Sequence, residues 1–370
     1  MNAGADRAVR RGRGHGLRST GRAALLPRAA PPLRAALLLL ASAFAVAAQQ
    51  PYVTRAQGVP AARVARALEQ ARATASLDDA AFGESLAVAY ALVGEGRHAE
   101  AAELFAALAA KRPRDFAALY GAALSTFNAG RAAEALPLAR RAVDAALTDS
   151  RAGNSRAADA LVLLAVVEAV GGDEASALKN VRRAVELAPD NFDAQLALGR
   201  ALYGAGDDAG AFRAFRAALA LRPGDARTLF FLATSLERAG DDAGALAAYR
   251  ELATRQPRAA EGHLGLGVML VKRGGADSEE GLMELARALE LDPNAYEARV
   301  TLGRALLSAG RAEDALPHLR RAAELAPDNP EPHYQLSLAY RRLGRRDEAA
   351  AESAVVKRIH ESRRAPRSKP

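Results

Sequence analysis

The apolar positions of this protein recur as pairs of helical stripes separated by single glycines. Residues 192–223, FDAQLALGRALYGAGDDAGAFRAFRAALALRP, form one complete unit. Leu198 and Leu202 share a face of a first helix, one α-turn apart. Gly206 ends that helix, because glycine tolerates the left-handed conformation a helix terminus needs. Asp207 and Asp208 open a second helix, where carboxylates offset the unpaired N–H groups of the first turn. Ala211, Phe215 and Ala218 make its buried stripe, and Pro223 closes the unit, since proline cannot continue a helix.

The same pattern repeats along the sequence. Glycines at 96, 130, 172, 206, 240, 274, 310 and 344 are spaced by 34, 42, 34, 34, 34, 36 and 34 residues. Pro113, Pro189, Pro223, Pro257, Pro293 and Pro327 keep the same period. The longer steps hold insertions, a polar stretch at 148–156 and a short one at 275–278. This gives eight units: 82–113, 116–147, 158–189, 192–223, 226–257, 260–293, 296–327 and 330–356. The eighth position of each holds Ala89, Ala123, Ala165, Gly199, Ala233, Gly267, Gly303 or Ser337. The twentieth holds Ala101, Ala135, Ala177, Ala211, Ala245, Gly281, Ala315 or Ala349. Small residues are needed where two helices cross, because a leucine there would push the backbones apart. A larger plug stands at position 24 in most units: Phe105, Val181, Phe215, Tyr249, Leu285 and Leu319. Pro137 and Pro317 fall inside second helices, near the end of the first turn, where a slight bend and no break is expected. Residues 61–75 read as one further helix, a cap or a degenerate repeat within a 49–81 linker.

A 34-residue helix–turn–helix with small residues at these two places resembles the tetratricopeptide repeat (TPR) family. The likeness covers residues 82–356, and it departs from the family in having no Trp at position 4 of any unit. It implies an all-α fold, a right-handed α–α superhelix whose concave surface is an extended binding face. In the family the first helices line that concavity, and positions 2, 5, 9 and 12 typically face the ligand. Carried over by register, these are Tyr90 in unit one and Tyr120, Leu124 and Phe127 in unit two. They continue as Leu196, Arg200 and Tyr203 in unit four, then Arg227 and Phe230 in unit five. Arg304, Tyr334 and Arg341 follow in units seven and eight. Aromatics and arginines are the composition of binding hot spots, and suit an extended or helical peptide with some acidic residues. The same aromatics at helical spacing also suit packing between units. Family members that clamp chaperone C-termini use Lys and Asn at positions 2, 5, 6 and 9 of three consecutive units. No such set stands here, so no chaperone-tail clamp is expected.

Charge alters the picture of the partner. The formal net charge is +8, but residues 1–48 hold eight Arg against one Asp, and 357–370 hold six basic residues against one Glu. The body, 49–356, is left at −4, so the basic pI does not argue for nucleic acid as a partner. Within 1–48, an Arg-rich stretch at 1–34 precedes the apolar run 35–48, AALLLLASAFAVAA, which ends in small residues. This reads as a secretory signal peptide, with an uncleaved membrane anchor or an organelle transit peptide as the alternatives. The expected location is the bacterial periplasm or exterior, or the inner membrane if 35–48 stays as an anchor. The 357–370 tail reads as a basic, frayed end, with its helix stopping near Ser362.

Candidate chemistry is thin. No Cys is present, which removes disulfides and thiolate sites. The six His form no close ligand pair, and His263 and His333 occupy the packing slot at position 4. The Asp207-Asp208 and Asp241-Asp242 pairs recur at one place in the repeat, as helix-start chemistry would. No phosphate-binding loop and no nucleophile elbow occurs. The expectation is a non-catalytic scaffold without metal or cofactor that binds a protein or peptide. Its alternative is an accessory subunit that presents substrate to a separate envelope enzyme or assembly machine.

Overall fold

The computed structural model describes residues 58–73, 76–149, 153–275 and 278–364. The expected signal segment, 1–48, lies outside these residues. Within them the protein is all-α, a right-handed α–α superhelix with no strand. Helix α1, Ala61–Ala73, precedes the repeats and packs on the first two helices that follow. The first helices of the eight units are α2 (Asp79–Gly94), α4 (Phe116–Asn128), α6 (Gly153–Gly171), α8 (Phe192–Gly204), α10 (Ala226–Ala239), α12 (Ala260–Gly274), α14 (Tyr296–Ser308) and α16 (Pro330–Arg342). The second helices are α3 (His98–Lys111), α5 (Ala132–Thr148), α7 (Glu174–Leu187), α9 (Asp208–Leu221), α11 (Asp242–Arg255), α13 (Glu279–Leu291), α15 (Ala312–Leu325) and α17 (Arg346–Arg364).

Turns within units share one construction. Gly206 has φ 82°, and its successor Asp207 donates its N–H to the Leu202 carbonyl five residues back at 2.9 Å. That bond caps the first helix with a left-handed residue. Unit six differs: α12 runs through Gly274, and the left-handed residue is Gly275, so the inserted residues shift the turn by one. Six of the eight second helices start in one of two ways. In α7, α9 and α11 an Asp caps the helix: Asp173, Asp207 and Asp241 accept from the backbone N–H three residues on. In α3, α5 and α15 an Arg stands there without capping the backbone, and pairs with an acid three residues later: Arg97–Glu100, Arg131–Glu134 and Arg311–Asp314. The paired aspartates are therefore helix-start chemistry.

The small positions do what the spacing requires. Gly199 faces the Phe215 ring of its own unit so closely that an added Cβ would lie 2.5 Å from it. Gly267 and Gly303 meet Leu285 and Leu319 in the same way. A second contact joins neighbouring units: a Cβ at Gly121 would collide with the Phe105 ring, and one at Gly265 with the Tyr249 ring. A plug at position 24 thus lies between position 8 of its own unit and position 6 of the next. Aromatic plugs have glycine at one of the two.

Three places can be set beside the sequence reading. Pro137 and Pro317 are the sixth residues of α5 and α15, past the first turn, and both helices run through them unbroken. The 148–156 insertion is partly helical, because α6 begins at Gly153 and is 19 residues long. The last helix runs to Arg364, two residues past the expected stop near Ser362, with Ile359 buried and Arg363 donating to the Asp328 carbonyl at 2.6 Å.

Candidate binding face

Neighbouring first helices touch one another, as α2 does α4, α6 does α8 and α14 does α16, whereas the second helices are held apart by them. The first helices therefore crowd together on the inner side of the curve. The twelve residues carried over by register lie on these helices, but at different depths. Arg227, Arg304, Tyr334 and Arg341 are exposed. Tyr90, Tyr203 and Phe230 are half-buried. Tyr120, Leu124, Phe127, Leu196 and Arg200 are buried. Leu124 and Leu196 belong to the core that holds units together and offer nothing to a ligand, since first helices approach closely enough to close over them.

Two groups form within units one to five. The first surrounds Tyr90 and Tyr120. The Tyr90 hydroxyl donates to the Ala117 carbonyl at 3.2 Å, and its ring meets Phe105 edge-on at 5.0 Å. Tyr120 stacks on Phe116 at 5.4 Å. Burial pushes the Tyr90 phenol up to about 12 and the Tyr120 phenol well above its ordinary value. Nearby stand two carboxylates that reading by residue type missed, Asp159 and Asp193, at position 2 of units three and four. Burial raises the Asp159 carboxyl to about 6, although the Asn191 side-chain amide donates to it at 2.8 Å. Asp193 is raised by burial too, and held back by Arg222 and Arg227. The register itself points at both acids.

The second group centres on Phe231, which the sequence does not single out. Its ring stacks on Phe215 at 5.7 Å and meets Tyr203 and Phe230 edge-on at 6.5 and 5.8 Å. The guanidinium carbon of Arg200 lies 4.9 Å from its centre. Arg200 is fully buried, and none of its three guanidinium nitrogens has a hydrogen-bond partner. Burial, and then repulsion from Arg227, push its pKa down to about 9, so it stays charged at neutral pH. Arg238 fixes the neighbouring Tyr203: it lies 3.7 Å over the ring, donates to the Tyr203 carbonyl at 2.7 Å and pairs with Asp208.

His263 and His333 are accounted for by structure. Each reaches across its own unit to a glutamate of the second helix, Glu284 and Glu352, at 2.6 Å. Among the described residues no group of three or more His, Asp or Glu could hold a metal ion. No helix among them is long and apolar enough to cross a membrane.

Profiles described as tetratricopeptide repeat match residues 86–150, 171–226, 232–281, 275–330 and 306–361, more than half of the sequence. The protein belongs to the tetratricopeptide repeat family. Among solved structures it is similar to MamA, at 22% identity and TM-score 0.44, over 48% of this protein and 98% of that one. It is similar to YrrB, described as a TPR protein with an unusual peptide-binding site, at 20% identity and TM-score 0.44, over 51% and 95%. It is also similar to PilF of Pseudomonas aeruginosa, at 20% identity and TM-score 0.49, over 56% and 94%. No match is found among the curated proteins. The TPR fold is a protein-interaction scaffold, and its repeats supply the inner face described above.

Proposed function

We propose that this TPR protein is an exported, non-catalytic scaffold that holds a polypeptide along the face made by its first helices. The observation that carries this reading is the alignment of eight first helices, six of which place arginine or aromatic side chains at the ligand-facing register. Arg227, Arg304, Tyr334 and Arg341 stand exposed there, and Tyr90, Tyr203 and Phe230 keep part of their surface free. Rigid aromatic faces and arginine forks are the groups that carry binding energy at protein interfaces. The mildly acidic body gives nucleic acid no electrostatic footprint, so the partner is a protein or peptide. The basic start followed by the apolar run at 35–48 supports export to a bacterial periplasm, with membrane attachment only if that run is retained.

The test is capture of partners from the envelope fraction by native protein and by an Arg304→Ala, Tyr334→Ala, Arg341→Ala variant. All three side chains are exposed, so the fold is expected to survive. Partners held by the native face are lost from the variant; equal recovery by both removes the assignment. N-terminal sequencing of the exported protein checks the signal, with a first residue near Gln49 expected and one at Met1 or Asn2 excluding cleavage.

A further inference from the structure

Second helices of neighbouring units are held apart, so furrows run between them on the outer side of the array, floored by first helices. Two successive furrows stand open. The first, about 420 Å³, lies between α7 and α9 over Leu198 and Leu202 of α8, with Arg182, Gly210 and Arg213 on its walls. The second, about 530 Å³, lies between α9 and α11 over Leu232 and Leu236 of α10, with Phe212, Arg216 and Gly244 on its walls. One repeat relates them: Arg182 and Arg216 hold position 25 of their units, and Gly210 and Gly244 hold position 19. The next seam along shows what these two lack. There position 25 is Arg250 of α11 and, allowing for the inserted residues, position 19 is Glu280 of α13; the two meet across the furrow at 2.7 Å. Units one, two, seven and eight also have an acid at position 19: Glu100, Glu134, Asp314 and Glu348. Only units four and five have glycine there, so Arg182 and Arg216 face a gap where Arg250 meets a carboxylate. Lys179 and Arg213, at position 22, stand one turn before them on the same helix faces. All four cations are exposed, and none pairs with an acid among the described residues. Asp207 and Asp241 reach these furrows, but each is engaged by the N–H of Gly210 or Gly244, at 2.8 and 2.9 Å.

We propose that these two furrows form a second docking face, on the outside of the array, for an acidic segment of a partner protein that also carries apolar side chains. Each furrow takes an apolar side chain on its leucine floor. A flanking Asp or Glu of the partner meets Arg182 or Arg216 as Glu280 meets Arg250. Contact with the leucines gives affinity, and the arginines select the sign of the partner's charge. The protein's own basic stretches, 1–34 and 365–370, have the wrong sign for this surface. A flat anionic lipid surface meets the arginines but leaves the recessed leucines uncovered. The face is made by second helices and is separate from the inner one, so one molecule can hold two partners at once.

The experiment follows the fluorescence anisotropy of short labelled peptides with the full-length protein at constant ionic strength. The first peptide is Leu-Glu-Glu-Leu repeated three times, the second has Gln for every Glu, and the third has Ser for every Leu. Native protein is expected to bind the first about tenfold more tightly than either control. The Arg182→Gln, Arg216→Gln double variant is altered only at exposed positions, so it melts as native protein does and binds the first peptide about tenfold more weakly. The inner-face variant Arg304→Ala, Tyr334→Ala, Arg341→Ala binds that peptide as native protein does. No binding, equal binding of the three peptides, full affinity in the double variant, or loss in the inner-face variant overturns the proposal. Vesicles of phosphatidylglycerol and phosphatidylcholine are expected not to retain the protein; retention that the double variant abolishes assigns the arginines to a lipid surface and overturns it as well. Dimerisation of native protein alone that the double variant abolishes assigns the furrows to a second copy, with the same consequence. The inner-face reading is tested at other residues, so either can fail without the other.

Discussion

The guanidinium of Arg200 lies 4.9 Å from the centre of the Phe231 ring, in a seam where no acid meets it. The contact exists because of what happens one layer deeper. Phe231 occupies position 6 of unit five, the place where Gly121 and Gly265 stand in units two and six. There it stacks on Phe215, whose bulk is accommodated by Gly199 in its own unit. Without a partner, Arg200 is a liability for the fold. Arg200→Met is therefore expected to stabilise the protein by about 1–3 kcal/mol, since replacing a buried charge by an apolar group of similar length is often favourable. Chemical denaturation of the two proteins at one pH measures this, and a loss of stability would show that the charge is compensated in the free protein.

Packing between plugs and glycines predicts a coupled pair. Gly121→Ala places a methyl group into the Phe105 ring and is expected to cost about 1–3 kcal/mol. Phe105→Leu makes room, so the double variant loses less than the sum of the two single changes. A denaturation cycle on the four proteins measures the coupling. Strict additivity would mean that the ring swings away freely.

The repeat is readable from sequence because it is set by local chemistry that recurs. Gly206 and Gly130 mark left-handed turns wherever the backbone doubles back on itself, and Asp207 and Asp241 start helices by capping them. Gly199 and Ala211 are small because helices cross there. The depth of the binding positions is not readable in this way. Register places Tyr120, Leu124 and Arg200 on the inner face, as it does Tyr334, but the next unit decides whether such a group is covered. For Arg200 the decisive neighbour is Phe231, 31 positions later, and no local pattern distinguishes it from a core residue. Asp159 and Asp193 share the ligand-facing register, but a search for aromatics and arginines passes over acids.

Asp159 predicts a pH effect. Its carboxyl is raised to about 6 in the folded protein, chiefly by burial, from an ordinary value of 3.8. Between those values the folded protein holds a proton that the unfolded one has released, so stability falls as pH rises through this window. Above about 6 the full penalty of the buried charge is present. Asp159→Asn keeps an oxygen to accept from the Asn191 amide and removes the charge. It is expected to stabilise the protein by about 1–2 kcal/mol at about pH 7.5 and by much less at about pH 4. Denaturation midpoints of both proteins across this range check it, and a gain independent of pH would point to a cause other than the carboxylate.

The final helix predicts how the array is closed. A repeat can bury its apolar face only against a neighbour, so the last unit needs something to cover its outer side. Here α17 runs on to Arg364, with Ile359 buried and Arg363 bonded to the Asp328 carbonyl in the turn just before unit eight. The added turns therefore hold the end of the array together, although their charge makes them read as a solvated tail. Ile359→Ala removes an apolar group at the end of the array, where few neighbours surround it, and is expected to cost about 1–2 kcal/mol, less than in the middle of a core. The loss should be local. Hydrogen exchange is expected to speed up in α16 and α17 and to stay unchanged in α2 to α9, because terminal repeats open without the rest of a linear array. Uniform acceleration across all units would show that the array unfolds as one body and that the last helix is no separate cap.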